Sequence, residues 1–530
     1  MNEEKNYDLI IVGSGIGALT TASLMARMKK WKVLVLERHY VIGGFTQVFR
    51  RPGKYKWDVG LHYVGEMAEG SEARTIFDFV TGGGVYWNKM PEPFEKFVYP
   101  DFAFDLYGEE ERFQGDLIER FPQERKAIES YFKDLKKCAR RVRLLAMAEV
   151  LPPFLRSPMR RLALSPRSPA GWTTGAYLER NFRDPQLKAL LVSQWGRYGL
   201  PPSKSAFLIH GNIASHYMHG GYYPEGGAAK IAQAVVPIIE ACGGRALVNH
   251  EVTKILVENG RAIGVETKKK MGGQETTERF FAPAVVSDAG AYNTYTKLLP
   301  QEIGAPYAET MRGLLPGTTS VGLYLGLRKS PTVLGFKGEN HWIYEGYDHE
   351  AHFQGNGLLA GKPTFCYLAF SSLKDPTATA HTAEIVAFAD YGKFREWAGQ
   401  PWMKRGEAYE ALKETIAEGL LSLVEKHHPG FKDLVDYKEL STPLTIEHFT
   451  ASPEGAIYGM AVTPERFRQH WIGVRTPVEK LYLIGADALS FGGIVGAMMG
   501  GVVTAGMLHG PFGYFRVMAA IRKQRRRLPN

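Results

Sequence analysis

One segment near the start of the chain constrains the fold more than any other. Tyr7–Val12 is a continuous apolar run, which is typical of a strand buried in a parallel sheet. A glycine turn, a stretch with helical spacing and a second strand, Lys32–Leu36, follow, and Glu37 comes directly after that strand. This order of strand, glycine turn, helix, strand and acid predicts a βαβ unit that binds a dinucleotide.

The glycine turn spans residues 13–18 (GSGIGA), and its small residues have separate predicted roles. Gly13 allows a tight turn, Gly15 lets the backbone approach a pyrophosphate, and Ala18 lies where helix and strand pack closely. The N–H groups at the start of the helix then face the phosphates. We expect Glu37 to accept hydrogen bonds from a ribose diol. The cofactor-binding candidates in this unit are Gly13, Ser14, Gly15, Gly17, Ala18 and Glu37.

This unit alone does not distinguish FAD from NAD, but two further segments do. Glu37 is followed shortly by a Gly-Gly pair at 43–44, and a late apolar strand at 481–484 is followed by Gly485-Ala486-Asp487 and a glycine-rich helix start. Both features resemble the flavoprotein superfamily of amine oxidases and phytoene desaturases. The resemblance implies FAD as the cofactor. Many members also have an arginine soon after the Gly-Gly pair, whereas the nearest ones here are Arg50 and Arg51, which leaves the pyrophosphate counter-charge unassigned.

The same resemblance assigns further residues to the cofactor. It implies that Asp487 bonds the ribityl or pyrophosphate region and that the turn before the last glycine-rich helix faces the flavin N1–C2=O edge. Predicted strands at 245–249, 252–257 and 262–267, with a hairpin turn at Asn259-Gly260, follow a helix, and Val252 is the candidate for a backbone contact to adenine. The additional cofactor-binding candidates are Arg38, Gly44, Phe45, Thr46, Gly60, Val252, Asp288, Gly485, Asp487, Gly493, Ile494 and Val495.

These segments predict an α/β protein: a Rossmann-like FAD-binding domain of the amine oxidase and phytoene desaturase type, interleaved with a mixed α+β substrate domain. The FAD-binding domain takes residues 1–70, 216–294 and 446–512. The substrate domain takes residues 71–215, which include the expected membrane contact, and 295–445. Residues 513–530 form a basic C-terminal tail. The substrate segments are rich in aromatic residues and methionine, which suits an apolar ligand, although core packing explains any single aromatic better.

Three motifs narrow the resemblance. Residues 222–227 (YYPEGG) and 453–459 (PEGAIYG) resemble stretches of the carotenoid desaturases and isomerases, and residues 57–65 (WDVGLHYVG) are most similar to the retinol saturase branch. Residues 491–497 (FGGIVGA) and the basic C-terminus are also similar to that branch. The resemblance implies an enzyme that acts on C=C or C–C bonds of a long isoprenoid polyene, with saturation, desaturation and isomerisation left open. A fatty-acyl lipid substrate, a flavin amine oxidase and a non-enzymatic prenyl carrier are the alternatives.

Chemistry on a polyene beside a flavin needs a group that delivers or removes a proton. His62 is the leading candidate, with a structural hydrogen bond as its alternative role, and Tyr63 and Tyr458 follow it. Glu447 and His448 are adjacent in a predicted strand, so only one of them can face the site. No metal site is expected, because the three cysteines are scattered and no HExxH motif is present. Only one dinucleotide motif occurs, so we expect an external electron donor or acceptor: a quinone, a redox protein, NADPH or oxygen.

Charge indicates an anionic partner. Lysine and arginine outnumber aspartate and glutamate by 65 to 55, a formal net charge of +10. Basic residues interleave with Leu, Phe and Met over 133–167, and six of them lie in 516–527, which suits a helix in an anionic bilayer interface; a solvated basic face is the alternative. No nucleic-acid module is recognisable. We expect a protein that is peripheral to the membrane on the cytoplasmic side and not secreted, with the uncharged stretch 488–508 buried beneath the cofactor rather than spanning a bilayer.

Overall fold

The computed structural model describes residues 7–525, apart from 52, 53, 166, 167, 272, 273, 316, 470, 490 and 491. Phe491 of the motif at 491–497 and residues 526–530 of the basic C-terminal segment are therefore outside the described residues.

The strands are β1 Leu9–Val12, β2 Val33–Leu36, β3 Val48–Arg51, β4 Tyr55–Asp58, β5 Trp87–Lys89, β6 Glu95–Val98, β7 Ala103–Leu106, β8 Tyr222–Pro224, β9 Arg245–Leu247, β10 His250–Glu258, β11 Arg261–Met271, β12 Gln274–Phe281, β13 Val285–Ser287, β14 Thr319–Leu327, β15 Asn340–Tyr344, β16 Phe365–Ala369, β17 His381–Ala389, β18 Val435–Ser441 and β19 Leu481–Leu483.

The helices are α1 Ile16–Lys29, α2 Glu72–Thr81, α3 Glu110–Arg120, α4 Arg125–Val150, α5 Pro153–Ala163, α6 Thr174–Asn181, α7 Pro185–Leu191, α8 Phe207–His216, α9 Ala229–Glu240, α10 Ala291–Asn293, α11 Gln301–Gly313, α12 His349–Gln354, α13 Ser371–Lys374, α14 Gly406–His427, α15 Pro443–Thr450, α16 Pro464–Arg468, α17 Ile494–Leu508 and α18 Gly513–Arg525.

A parallel sheet brings distant parts of the chain together. Its five strands lie in the order β19-β13-β1-β2-β9, and every neighbouring pair is parallel. The strands β1 and β2 are buried along their whole length, which explains why both are continuous apolar runs rather than alternating ones. The predicted Rossmann-like α/β fold is therefore confirmed, with the first and last strands of the chain in one sheet.

The helices α1 and α17 hold the two ends of the chain in contact. A Cβ on Gly501 of α17 would lie 2.5 Å from the carbonyl oxygen of Gly17 in α1, and Thr21 donates a hydrogen bond to the Gly501 carbonyl at 3.3 Å. Glycines thus allow the two backbones to approach closely, and most of α17 is buried.

The composition of α17 is therefore that of a buried core helix. In the part of the chain that the structure describes, no single helix is long and apolar enough to cross a bilayer. The pair α17 and α18 meets the length and composition criteria together but bends by 118°.

A second, seven-stranded sheet covers the other side of the cavity described below. Its order is β18-β14-β17-β16-β15-β6-β7, antiparallel except for the parallel pair β6 and β15. Its strands β15 and β16 are buried throughout, and α14 packs against β16 and β18. Strands β10, β11 and β12 form a separate antiparallel sheet, and the two-residue turn at Asn259-Gly260 joins the first two of them as predicted.

Two segments differ from their sequence-based descriptions. The stretch containing Glu447 and His448 is helical, not a strand, because Pro443 starts the helix α15 and Thr442 caps it through a reciprocal bond with Thr445. Residues 513–525 of the expected tail form α18, which buries Val517, Met518 and Ile521.

Candidate functional site

One cavity of about 1710 Å³ lies between the parallel sheet and the seven-stranded sheet. It is larger than the roughly 300–1,000 Å³ of most small-molecule sites, so it has room for a dinucleotide and a second ligand. Ala18 does not line it, because its side chain is buried in the core. The predicted residues that do line the cavity are Gly13, Ser14, Gly15, Gly17, Glu37, Arg38, Gly44, Phe45, Thr46, Gly60, His62, Tyr63, Val252, Asp288, Tyr458, Gly485, Asp487, Gly493, Ile494 and Val495.

The start of α1 is an anion-binding position. Gly15 is its N-cap and makes no side-chain capping bond. The Asp288 carboxylate, at the end of β13, accepts hydrogen bonds from the backbone N–H groups of Ala18 and Gly15. Burial raises the pKa of Asp288 to about 7, and the charge of Glu37 adds to the rise while the two backbone bonds oppose it. The helix terminus thus already interacts with a carboxyl group of the chain.

Glu37 is fixed at the end of β2 by the glycine turn. Its Oε2 accepts hydrogen bonds from the backbone N–H of Ser14 at 3.1 Å and from the Ser14 hydroxyl at 2.6 Å, and its Oε1 accepts one from the N–H of His39 at 2.8 Å. Ser14 Oγ also accepts a bond from Gly43 N at 2.9 Å, so the Gly-Gly pair is tied to the same turn. The carboxylate is 7% exposed and borders the cavity, which fits recognition of a diol.

A second helix terminus faces the same cavity. Gly493, the N-cap of α17, has φ 82° and no capping side chain, and a Cβ added there would meet nothing within 4 Å. Both helix starts face one cavity: the first N–H groups of α1 bond to Asp288, whereas the start of α17 has no capping side chain and offers its N–H groups to an electron-rich ring edge. Together with the glycines, this arrangement fits a dinucleotide that extends from α1 to α17.

Asp487 joins the segments around that second terminus. Its two carboxylate oxygens accept bonds from the N–H groups of Ala291, at 2.8 Å, and Met460, at 2.9 Å. Arg466 lies 3.6 Å from Asp487 Oδ1 and donates to the carbonyls of Met460 and Ala486. Arg466 is 1% exposed and has no recognisable motif, so the sequence did not identify it.

His62 projects from the loop after β4 and lies beside a buried acid. Its Nδ1 is 2.9 Å from Glu384 Oε2, and its ring packs edge-on against Tyr367 with centroids 5.2 Å apart. The His62 side chain is 24% exposed, whereas Glu384 is 2% exposed. Ser371 donates a hydrogen bond to the other Glu384 oxygen at 3.2 Å. A histidine that borders the cavity, with a fixed carboxylate behind it, has the arrangement of a proton-transfer group.

Tyr63 and Tyr458 differ from His62 in their surroundings. The Tyr63 hydroxyl donates to Glu95 Oε1, and Glu95 Oε2 lies 2.6 Å from Arg197 Nη2. Burial raises the pKa of Tyr63, and it also raises the pKa of Tyr458. Both tyrosines are therefore neutral at physiological pH, and the Tyr63 hydroxyl is already committed to a carboxylate.

Two of the predicted motifs lock together. Asp58, in the 57–65 motif, accepts hydrogen bonds from Tyr223 Oη and from the backbone N–H of Ala228, the second at 2.8 Å. Tyr222 pairs with Val64 through backbone bonds of 2.8 Å in both directions. Burial, with a contribution from Glu384, raises the pKa of Asp58 to about 6. The YYPEGG segment thus holds the loop that carries His62.

Several charged residues at the cavity were missed from the sequence. Arg197 and Glu384 border the cavity, Glu95 and Lys374 are buried behind them, and all four come from segments without a motif. Lys374 donates to Asn340 Oδ1 at 2.6 Å and to the His62 carbonyl at 3.1 Å, and burial lowers its pKa to about 8. Glu384 stands in the otherwise apolar strand β17, and that single acid was the available signal.

Other candidates lie away from the cavity. Glu447 Oε2 accepts a hydrogen bond from Tyr391 at 2.7 Å, and His448 stacks on Trp402. Neither Glu447 nor His448 borders the cavity, although other residues of α15 do. Arg51 does border the cavity, but Glu439 holds it through two bonds of 2.8 and 3.1 Å. Within the described residues, no group of three or more His, Cys, Asp or Glu side chains could hold a metal ion.

Solved structures share this architecture. An oxidoreductase from Methanosarcina mazei matches with a TM-score of 0.57 and 18% identity, covering 93% of this chain and 98% of that one. Cyclohexylamine oxidase from Brevibacterium oxydans matches with a TM-score of 0.59 and 16% identity, covering 98% and 99%. These similarities show the fold. The family model described as an NAD(P)-binding Rossmann-like domain matches residues 11–80.

The fold defines the class: an α/β protein with a Rossmann-like domain, in the architecture that cyclohexylamine oxidase and putrescine oxidase share. All-trans-retinol 13,14-reductase from Danio rerio is 34% identical over 95% of this chain and 86% of its own length, and the Homo sapiens protein is 30% identical over 94% and 85%. The chain belongs to the all-trans-retinol 13,14-reductase family. Prolycopene isomerase 2 from an Oncidium hybrid cultivar is a more distant relative, with 25% identity over 97% and 86%.

Proposed function

We propose that this protein is an FAD-dependent oxidoreductase that reduces a carbon–carbon double bond of a long apolar isoprenoid polyene. The observation that carries the proposal is the cavity of about 1710 Å³, which is bordered by Gly15 and Glu37 of the Rossmann-like unit and by aromatic residues of the seven-stranded sheet. The names of the relatives support a retinoid or related polyene as substrate.

FAD is supported by the two helix termini that share the cavity. Gly15 starts α1, where the Asp288 carboxyl group accepts hydrogen bonds from the first N–H groups, and Gly493 starts α17, which has no capping side chain. A mononucleotide, or one half of a nicotinamide dinucleotide, needs only the helix start at Gly15. The visible absorption spectrum of the purified protein tests this assignment, because a bound flavin absorbs near the blue end of the spectrum. A preparation that stays colourless after incubation with FAD would refute it.

His62 is the proposed proton donor. A bound flavin supplies hydride transfer at one carbon of the polyene. The neighbouring carbon then needs a proton, and His62 is the group of the cavity wall best suited to deliver it, because Glu384 lies 2.9 Å behind its Nδ1 and orients the ring. Tyr63 is less suited, since its hydroxyl donates to Glu95.

An anaerobic single-turnover experiment tests the reaction. The bound flavin is reduced with dithionite, all-trans-retinol is added, and flavin reoxidation and the product are followed together. We expect reoxidation with one double bond lost per flavin. In His62→Asn the rate should fall by about 10²- to 10⁴-fold, whereas His219→Asn, a change at another histidine of the cavity wall, should leave it unchanged. Retinol and carotenoids that neither reoxidise the flavin nor change would refute the proposed function.

A carotenoid isomerase is the second candidate, because prolycopene isomerases are among the relatives. The same experiment separates the two reactions. Isomerisation converts a poly-cis carotenoid with no net reoxidation of the flavin, whereas reduction consumes one reduced flavin for each product. One relative, 31% identical over 94% of this chain, is named an inactive all-trans-retinol 13,14-reductase, so turnover has to be measured for this protein itself.

We also propose that α5 docks on an anionic membrane surface. Phe154 and Leu162 of α5 are 74% and 65% exposed, and Arg156, Arg160 and Arg161 lie between them in the sequence. Arg161 is exposed and Arg156 half-buried, whereas Arg160 is largely buried beside Glu149. Exposed apolar side chains next to the exposed Arg161 suit a bilayer interface. The double variant Phe154→Glu/Leu162→Glu should lose co-sedimentation with phosphatidylserine vesicles.

The matched control is Val333→Glu, because Val333 is also 60% exposed but lies on another surface loop. It should sediment with the vesicles as the unaltered protein does. Equal binding of the double variant and the control would contradict the role of α5. We propose that the enzyme exchanges electrons with an external donor or acceptor of one of four classes: a quinone, a redox protein, NADPH or oxygen.

A further inference from the structure

The wall of the cavity contains three side chains with hydrogen-bond donor atoms that have no acceptor within the protein. Arg197 Nε and Nη1, Trp342 Nε1 and Tyr367 Oη are buried and make no hydrogen bond, and all three residues border the cavity. We call Arg197, Trp342 and Tyr367 the donor cluster. Buried donors without acceptors are unfavourable by about 1–3 kcal/mol each, so their occurrence together indicates a place for a ligand oxygen.

The members of the donor cluster lie close together. The rings of Trp342 and Tyr367 have centroids 4.7 Å apart, and the Arg197 guanidinium carbon is 6.0 Å from the Trp342 ring. Arg197 also stacks over Tyr217, at 3.6 Å from the ring centroid. The three side chains therefore lie together on one part of the cavity wall.

Other residues hold Arg197 in place without using its remaining donors. Its side chain is 7% exposed, and Nη2 lies 2.6 Å from Oε2 of Glu95, which is fully buried. Gln194 donates to the same Glu95 oxygen at 2.6 Å. Burial by itself would lower the pKa of Arg197, but the charge and hydrogen bond of Glu95, together with contributions from Tyr63 and Tyr217, outweigh this effect and raise it. Arg197 is therefore a permanently charged and fixed donor.

The positive charges around the donor cluster are compensated. Arg197 is paired with Glu95, and the buried Lys374 lies near the carboxyl groups of Glu384, Glu95 and Asp58. An excess of positive charge, which would favour a carboxylate, is absent from the described residues of this wall. The cluster supplies N–H and O–H donors in a neutral environment, which suits an uncharged oxygen acceptor.

We propose that the donor cluster binds the hydroxyl or carbonyl oxygen at the polar end of the substrate. The inference rests on the proposed function and adds to it, because it makes Arg197 and Tyr367 specificity-determining residues that select an oxygenated isoprenoid over a hydrocarbon of the same length. It also orients the chain, since an oxygen held here fixes which double bond lies beside His62. The His62 and Tyr367 rings are 5.2 Å apart.

Equilibrium binding to the oxidised holoenzyme tests the inference without turnover. The ligands are all-trans-retinol, the hydrocarbon in which its terminal CH2OH is CH3, and all-trans-retinoic acid, each followed by quenching of tryptophan fluorescence. We expect the alcohol to bind about 5- to 150-fold more tightly than the hydrocarbon, from two hydrogen bonds of about 0.5–1.5 kcal/mol each. We expect the acid to bind no more tightly than the alcohol.

Tyr367→Phe is the cleanest variant, because it deletes a hydroxyl that has no partner in the protein. It should weaken retinol binding by about 2- to 12-fold and leave the hydrocarbon unchanged. Tyr295→Phe is the matched control, since the Tyr295 hydroxyl is also buried and without a partner but does not border the cavity. Arg197→Lys keeps the charge beside Glu95 and should weaken retinol binding further.

The outcomes separate this inference from the proposed function. If the unaltered protein binds none of the three polyenes, the proposed function fails. If it binds retinol and the hydrocarbon equally well, and Tyr367→Phe changes neither affinity, the donor cluster has no role in recognition while the proposed function stands. Retinoic acid that binds more than 10-fold more tightly than retinol would overturn the assignment of an uncharged oxygen.

Discussion

Two neighbouring glycines of α17 provide a direct test of the contact that joins the two ends of the chain. In Gly501→Ala, the new Cβ would lie 2.5 Å from the Gly17 carbonyl oxygen and 2.8 Å from Thr20 Cβ. Normal contacts need about 3.5–4.0 Å, so α1 and α17 have to separate by roughly 1 Å. In Gly500→Ala, the new Cβ would meet only the Gly485 nitrogen, at 3.9 Å, which is an ordinary contact.

The two variants isolate the packing contribution. Alanine favours a helix interior over glycine by about 1 kcal/mol, and this gain is common to both changes. Overpacking at Gly501 costs about 1–3 kcal/mol. The free energy of unfolding should therefore be about 1–3 kcal/mol lower for Gly501→Ala than for Gly500→Ala, with the latter equal to or above the unaltered protein.

Urea denaturation followed by tryptophan fluorescence measures the difference as a shift of the transition midpoint. Flavin retention should follow the same order, because moving α17 displaces Gly493 from the glycine turn at Gly15. If Gly501→Ala unfolds at the same urea concentration as Gly500→Ala, the close contact between α1 and α17 is refuted, and with it the joining of the two ends around one site.

Three further predictions concern the site. Glu37→Gln keeps the shape but removes the charge that Ser14 and a ribose diol share, so the flavin dissociation constant should rise about 5- to 15-fold; an unchanged constant in equilibrium dialysis would contradict the diol role. Asp288 has a pKa of about 7 in the folded protein, above its unfolded value of about 3.9, so the stability it contributes is complete below pH 4 and is lost as pH rises through 7. Relative to Asp288→Asn, the unaltered protein should lose stability between pH 5 and 8. If the urea midpoints of the two proteins change by the same amount between these pH values, this titration of Asp288 is excluded. Tyr223→Phe removes a donor to the buried Asp58 carboxylate and should lower the free energy of unfolding by about 1–3 kcal/mol, which thermal denaturation would reveal; an unaltered transition would show that this bond is not needed.

The cofactor half of the site was largely accessible from the sequence. The glycine turn, Glu37 and the late Gly-x-Asp segment are local patterns, because a strand that ends in a tight turn needs particular residues at fixed spacing. Each pattern is visible without knowledge of the rest of the chain. The prediction of a strand around Glu447 failed for the opposite reason, since an apolar run of five residues is compatible with either a strand or a helix, and the cap at Thr442 decided between them.

The substrate half was not accessible in the same way. Arg197 and Glu384 border the cavity, and Glu95 is buried behind Arg197. They come from three separate segments and lie together only because β6, the turn before Tyr198 and β17 pack against each other. No fixed spacing connects such residues, and an isolated charge in an apolar segment has the same sequence pattern whether it faces solvent or a ligand. Their pairing depends on long-range packing, which sequence periodicity does not report.

The sequence by itself determined the dinucleotide unit, the parallel sheet and the family resemblance, because these depend on the residues within one turn or one strand. Tertiary structure alone decided that Gly15 and Gly493 share a cavity, that His62 is backed by Glu384, and that the donor cluster is left without acceptors. The physical reason is that hydrogen bonds and charge pairs between distant segments exist only after the two sheets close on each other, and burial then makes each unpaired group significant.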